Sequence, residues 1–164
     1  MGGEVMWSAG PVGEAEGRDA LLRFVRGSVR DDRAEAMMLV CTTCGSEEFE
    51  LNGECWCFGC CLPLGLPDGW EAGFPGQYAW RLEPSDTPLP SALSGAGNQP
   101  VIRCPEGHRV FETAIAVALT AGRRICGLTV ALRCPDDGLL HLYISNARVV
   151  PTGSDTDTFP LPEL

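Results

Sequence analysis

Lysine is missing from this 164-residue chain: all twelve basic side chains are arginine, against 22 acidic ones, for a formal charge of −10. Polyphosphates are held by clustered cations and the counterions they release, so this balance does not favour non-specific nucleic-acid binding. The densest arginines, Arg18, Arg23, Arg26, Arg30 and Arg33, are interspersed with acids and read as a solvated helix face. Exclusive use of arginine also points to a GC-rich genome, bacterial or of a phage, and carries no mechanism. Histidine is scarce, with only His108 and His141. No G-x-S-x-G, H-E-x-x-H or glycine-rich phosphate loop occurs, nor H-x-E with P-C-x-x-C, so nucleophile–base pairs and deaminase chemistry lack their residues. No eighteen apolar residues follow one another, which leaves no transmembrane helix. Residues 1–17 lack the basic and apolar stretches of a secretory signal. Nine cysteines are an odd number, unlike the even set of an extracellular disulfide framework. The expected setting is a reducing cytoplasm with thiolates held on metal.

Against these absences the segment 41–60 stands out. Cys41-Thr42-Thr43-Cys44 is followed, after twelve residues, by Cys57-Phe58-Gly59-Cys60, and two C-x2-C pairs can close a tetrahedron of thiolates around Zn²⁺. Four protein ligands leave no open position for water or substrate, so Cys41, Cys44, Cys57 and Cys60 form a first site with a structural role. Cys55 and Cys61 crowd the second pair and offer a shifted register, but only Cys57 and Cys60 reproduce C-x2-C. Iron on the same four cysteines is the alternative metal. Residues 47–51 and 54–57 flank Asn52-Gly53, a dipeptide suited to a type I′ turn. Mirroring about it sets Phe49 opposite Trp56, an aromatic pair worth up to ~1 kcal/mol.

Twenty glycines and thirteen prolines point to short strands and much loop, while 45% apolar residues suffice for a core. Residues 1–17 have no periodicity and read as a flexible arm. Over 18–38 apolar residues recur at spacings of three and four, as in an amphipathic helix, with an interruption near Gly27 and Asp31-Asp32. Two short helices, or a helix and a strand over 37–40, both satisfy the pattern. Residues 62–82 hold three prolines and four glycines, too many for regular structure, with Trp70, Phe74, Tyr78 and Trp80 among them. These aromatics make either a lid on the ribbon or a partner-binding surface. Residues 83–100 have a linker's composition. The tail 152–164 is acidic, and its Pro-spaced Phe159, Leu161 and Leu164 suit an extended peptide docked on a protein partner. The expected organisation is an arm (1–17), a helix plus ribbon (18–82), a linker (83–100), a second domain (101–151) and the tail.

That second domain contains Cys104-Pro105-Glu106-Gly107-His108 and, thirty residues on, Cys134-Pro135-Asp136-Asp137-Gly138. Between them 110–119 and 125–133 read as strands about a turn at 121–123, with a third strand over 139–150. The fold class expected is a small metal-stabilised α+β protein: an N-terminal helix and ribbon, then a three-stranded antiparallel β meander. Mirroring about the first turn puts Val110 near Cys134, and so gathers Cys104, His108 and Cys134 at one end. The fourth ligand is then Asp137, at C-x2-D spacing, or His141, on the same strand face as Cys134. Cys126 is excluded by eight residues of strand at ~3.3 Å each. A second Zn²⁺ here competes with a reading of buried thiols and a turn-capping His108. With water as fourth ligand, Cys104, His108 and Cys134 would make a hydrolytic centre with Glu106 or Asp136 as base.

The cysteines of 41–60 resemble the zinc-ribbon and zinc-knuckle group, and C-P-E-G-H with C-P-D-D resembles it in part. The second half also resembles small bacterial proteins that repeat this C-P-x-G-H and C-P-acid pattern. Ribbons of the group serve transcription factors, ribosomal proteins, topoisomerases, protein adaptors and phage components, so the resemblance implies a scaffold and Zn²⁺ rather than an activity. The function expected is a non-catalytic zinc-binding adaptor or assembly protein acting on a protein partner. A ribbon contacting nucleic acid or a transcription complex is the alternative, against which stand four Glu and no Arg in 41–61. A structural part of a phage or injection-type particle is the third reading.

Overall fold

Nearly continuous apolar runs on both sides of residues 121–123 produce the two strands on which the molecule is built. The computed structural model describes residues 6–52, 55–62, 80–83, 101–123 and 125–151. Among the described residues are one helix, α1 (Glu14–Gly27), and seven strands: β1 (Glu35–Met38), β2 (Glu48–Leu51), β3 (Cys55–Cys57), β4 (Trp80–Glu83), β5 (Phe111–Leu119), β6 (Ile125–Arg133) and β7 (Leu140–Pro151). All pairings are antiparallel, in the order β3-β2-β5-β6-β7-β4, with β1 sharing the outer edge of β5 with β2.

The meander is therefore not a separate unit; β5, β6 and β7 are the middle of one sheet. A nine-residue β5 at a meander's edge would leave a row of backbone groups unpaired. β1 takes the part from Ala114 to Val117, and β2 the part at Phe111 and Glu112. The other edge is taken by β4, which pairs Leu82 with Val149 and Glu83 with Arg148. Regular structure thus reaches into the proline-rich region, and Glu83 belongs to a strand rather than to a linker. Residues 63–79, 84–100 and 152–164 lie outside the described residues, and with them Trp70, Phe74, Tyr78, Phe159, Leu161 and Leu164.

Two-residue periodicity gives the sheet two faces. Phe111, Ile115, Val130 and Leu132 point to one, where they pack with Phe49 and Leu51 from β2 and with Cys41, Cys57, Cys104 and Cys134. Ala114, Ala116 and Ala131 point to the other, where α1 lays Leu21 and Val25 on them. Burying each of those two side chains contributes ~1.5–3 kcal/mol, and alanine on the sheet lets the helix approach closely. Helix α1 begins four residues before the expected position, with Glu14 and Glu16 in its first turn, where the helix dipole favours acids. It ends at Ser28, whose hydroxyl donates to the Phe24 carbonyl at 2.7 Å.

The arm expected over 1–17 is docked from Trp7 onward. Ser8 and Leu140 exchange two backbone hydrogen bonds of 2.8 and 2.7 Å. Arg133, fully buried, pairs with Glu112 at 2.5 Å and donates to the carbonyls of Pro11, Val12 and Gly13. A Cβ at Gly17 would overlap that guanidinium, so the glycine is what admits it. The arm and its partners Arg133 and Leu140 are more than a hundred residues apart in the chain, beyond the reach of local pattern.

Registers also differ from the mirrored ones. Phe49 faces Cys57, and Glu50 faces Trp56, so the aromatic cross-strand pair does not form. A one-residue shift exchanges the faces of a strand. Here it turns Cys55 and Cys57 inward with Leu51 and Phe49, and leaves Trp56 outward, its Nε1–H donating to Asn52 Oδ1 at 2.7 Å. In the long hairpin Leu119 pairs with Ile125 as mirrored, but a bulge after Ala118 shifts everything beyond it, so that Glu112 faces Arg133.

Candidate metal centres

The first centre lies where β1 runs into a turn and β2–β3 returns beside it. Leu39, two residues before Cys41, donates its N–H to Thr113 on β5 at 2.8 Å. The Sγ atoms of Cys41, Cys44, Cys57 and Cys60 all fall within 4.8 Å of one another. Thiolates ~2.3 Å from one zinc stand ~3.8 Å apart at the corners of a tetrahedron. Cys41 and Cys60 are 3.7 Å apart, and Cys44 and Cys57 3.5 Å, consistent with a zinc-binding site. Gly59 permits this closure, since a Cβ there would stand 3.1 Å from Cys44 Sγ. Burial opposes ionisation of Cys41, but the N–H groups of Cys44 and Thr43 and the thiols of Cys57 and Cys60 outweigh it and lower the thiol to about 6. Cys60 is instead pushed up to about 12: the Leu62 N–H favours its thiolate, but burial and the three neighbouring thiols prevail. Four thiols this close cannot all ionise until a cation sits among them.

The second centre closes the end of the long hairpin. Cys104 and His108 precede β5, and Cys134 and Asp137 follow β6; their donor atoms also lie within 4.8 Å of one another. His108 Nδ1 is 3.3 Å from Cys104 Sγ, 3.5 Å from Cys134 Sγ and 3.4 Å from Asp137 Oδ2. The corresponding edges around zinc are ~3.5 Å between sulfur and nitrogen and ~3.3 Å between nitrogen and oxygen. Cys104 Sγ and Asp137 Oδ2 are closer, at 3.1 Å. Burial pushes Cys134 up to about 12; the N–H groups of Asp137 and Asp136 oppose the rise and the Asp137 carboxylate adds to it. Burial resists ionisation of Asp137 as well, yet the Leu139 N–H and the side chains of Cys104, Cys134 and His108 hold it below the usual carboxylate range.

Three of the four ligand loops are the same turn. In each, the first cysteine donates its N–H to the carbonyl five residues on: Cys41 to Ser46, Cys57 to Leu62 and Cys134 to Leu139. Its own carbonyl accepts from the fourth residue on, namely Gly45, Cys61 and Gly138. All three of those residues have positive φ, at 76°, 61° and 75°. Asp137 therefore occupies the place that Cys44 and Cys60 hold in the first centre. The Cys104 loop is one residue shorter: Cys104 N–H bonds to the His108 carbonyl, and Gly107, at φ 93°, sits before the second ligand instead of after it. Glycine behind the second ligand is the sequence signal of this turn, present in Cys44-Gly45 and Asp137-Gly138.

His141 does not join the centre. It lies opposite Leu132, on the expected face but two residues along from Cys134. Its Nδ1–H donates to the Met6 carbonyl at 2.9 Å, and its ring packs on Trp7, which also contacts Phe111. Burial lowers its pKa against the opposing Met6 bond. Cys55 is buried in the core, Cys61 is exposed, and Cys126 lies against the Ala118 carbonyl, so none of the three enters a cluster. Asp136, expected as a base at this site, instead places its Oδ2 3.9 Å from His108 Nε2, the ring nitrogen facing away from the donors. Trp80 opens β4, paired with Pro151. Among the described residues no helix is long and apolar enough to cross a membrane. No family model, curated protein or solved structure matches the chain, so the centres are read from their own geometry.

Proposed function

We propose that the protein is a non-catalytic, zinc-binding adaptor or assembly protein of the cytoplasm, acting through contacts with a protein partner. The observation that carries this reading is the donor count: each centre gathers four protein ligands, and a four-coordinate zinc so held has no position left for water or substrate. In the second centre Asp137 stands where a hydrolytic zinc would carry its water. Zinc is the metal favoured by four thiolates, or by two thiolates with imidazole and carboxylate, at these separations. A partner site at the ribbon surface is supported by Trp56, Phe58 and Leu62, which are 36%, 49% and 47% exposed. Aromatic side chains so placed are the usual anchors of protein interfaces. The net charge of −10 favours a basic protein surface over a polyphosphate.

Elemental analysis of the purified protein, with Cys41→Ser and Cys104→Ser beside it, tests the metal half of the reading. Two zincs per chain, one lost in each variant, are expected. Hydrolysis of ester or phosphoester substrates that disappears with Cys104→Ser would refute the non-catalytic half, and retention on heparin at low salt would favour the nucleic-acid alternative.

A further inference from the structure

We infer that the second centre is the exchangeable metal site of this protein and that Asp137 is the residue that makes it so. The inference rests on reading both clusters as metal centres. Its basis is the shared turn: from the Cys134 N–H to the Leu139 carbonyl, the backbone repeats the bonds and the positive φ found around Cys41 and Cys57. A cysteine at 137 would thus deliver a thiolate in the manner of Cys44. The chain delivers a carboxylate, a harder donor that binds zinc less strongly than thiolate and tolerates harder divalent ions better. The anionic donors number four in the first centre and three in the second, with His108 neutral when it ligates.

Position does not separate the centres, since Cys44 is exposed and Cys60 half-buried in the first, but the second is open to solvent as release requires. Cys104 and Cys134 are buried at the floor of the site, while His108 and Asp137 are 40% and 19% exposed and face its mouth with Asp136. The site also has supports that need no metal. Cys134 directly follows Arg133, which is fixed by Glu112 and three carbonyls, and Asp137 Oδ1 accepts the Leu139 N–H at 3.0 Å. On the other side Ile102 N–H bonds to the Leu51 carbonyl at 2.8 Å, and Arg103 donates to the Gly107 carbonyl at 3.0 Å. A preformed site loses its metal without unfolding and regains it, so its occupancy follows the supply of metal.

The test is release of zinc from the fully loaded protein to an excess of a chromogenic chelator. One zinc per chain should leave in a fast phase and one in a slow phase, with Cys104→Ser removing the fast phase alone. Asp137→Cys should slow the fast phase at least tenfold, and Asp137→Asn should accelerate it. With Co²⁺ in place of zinc, Asp137→Cys should add thiolate charge-transfer absorption, which shows that the variant is folded and ligated. A single phase for both zincs, a fast phase assigned to Cys41, or a ligated Asp137→Cys with unchanged release would overturn the inference. Binding of neither Zn²⁺ nor Co²⁺ at any site would instead sink the metal reading beneath it.

Discussion

The first centre sits on a hairpin of four- and three-residue strands at the sheet edge, whereas the second closes the ends of two nine-residue strands at its middle. The same turn serves both, with opposite consequences. Strands as short as β2 and β3 have little independent stability; two pairings to β5 and the burial of Phe49 and Leu51 anchor one side, and the proposed metal would supply the rest. Central strands with a buried ion pair beside them hold a ligand set in place unaided. Equal ligand spacing in a sequence can therefore mean a clamp in one place and a socket in another, depending on how much sheet stands behind it.

The largest effect should come from the double variant Cys41→Ser, Cys44→Ser. Structural zinc contributes ~10–16 kcal/mol to small zinc-dependent folds, so amide-exchange protection should vanish over 48–57 and persist over 128–132. Cys104→Ser should remove one metal and leave protection at 48–57 intact; loss of both regions in either variant would break the contrast. Next comes the support peculiar to the second centre. Arg133→Met leaves Glu112 buried without its partner and should lower stability by ~3–5 kcal/mol, read from the denaturant midpoint. Adding Glu112→Leu should restore part of that loss. A smaller change is Asp136→Asn: outer partners of ligating histidines matter ~10-fold or more for affinity, so competition titration should show the second centre weakened about tenfold and the first unaffected. The smallest concerns Cys61, which holds the positive-φ position that glycine holds at Gly45 and Gly138. A left-handed non-glycine residue costs ~1–2 kcal/mol, and glycine's own entropy offsets part of that gain. Cys61→Gly should therefore raise stability by up to ~1 kcal/mol in thermal unfolding of the loaded protein, and a fall would place Cys61 in an unstrained turn.

Much of the candidate site was legible because knuckles are local. Cys41, Cys44, Cys57 and Cys60 follow from spacing alone, and C-x2-D spacing offered Asp137 beside His141. The strand 125–133 was read at its true bounds and 110–119 within one residue, since two short apolar runs flank a clear turn at 121–123. Where the reading failed, the determinant was remote. Phe49 met Cys57 because Leu51 and Cys55 are drawn into one core with Phe111, and no turn rule around Asn52 contains that information. His141 was a fair alternative until Met6 and Trp7 came in from the other end of the chain. Strand β4 was hidden by the prolines and glycines that precede it, because what makes it a strand is the open edge of β7.

By itself the sequence determined the donors, the turns that present them, the helix and the two long strands, since each depends on hydrogen bonds and periodicities spanning fewer than about ten residues. Only the tertiary structure decided that these pieces share one sheet, that Asp137 rather than His141 completes the second centre, and that Cys55 and Cys61 stay out of the first. Those outcomes turn on strand register and remote contacts: Phe49 sits opposite Cys57, and Met6 and Trp7 hold His141. Register is set by which side chains can be buried together across strands, and that is a property of the assembled core.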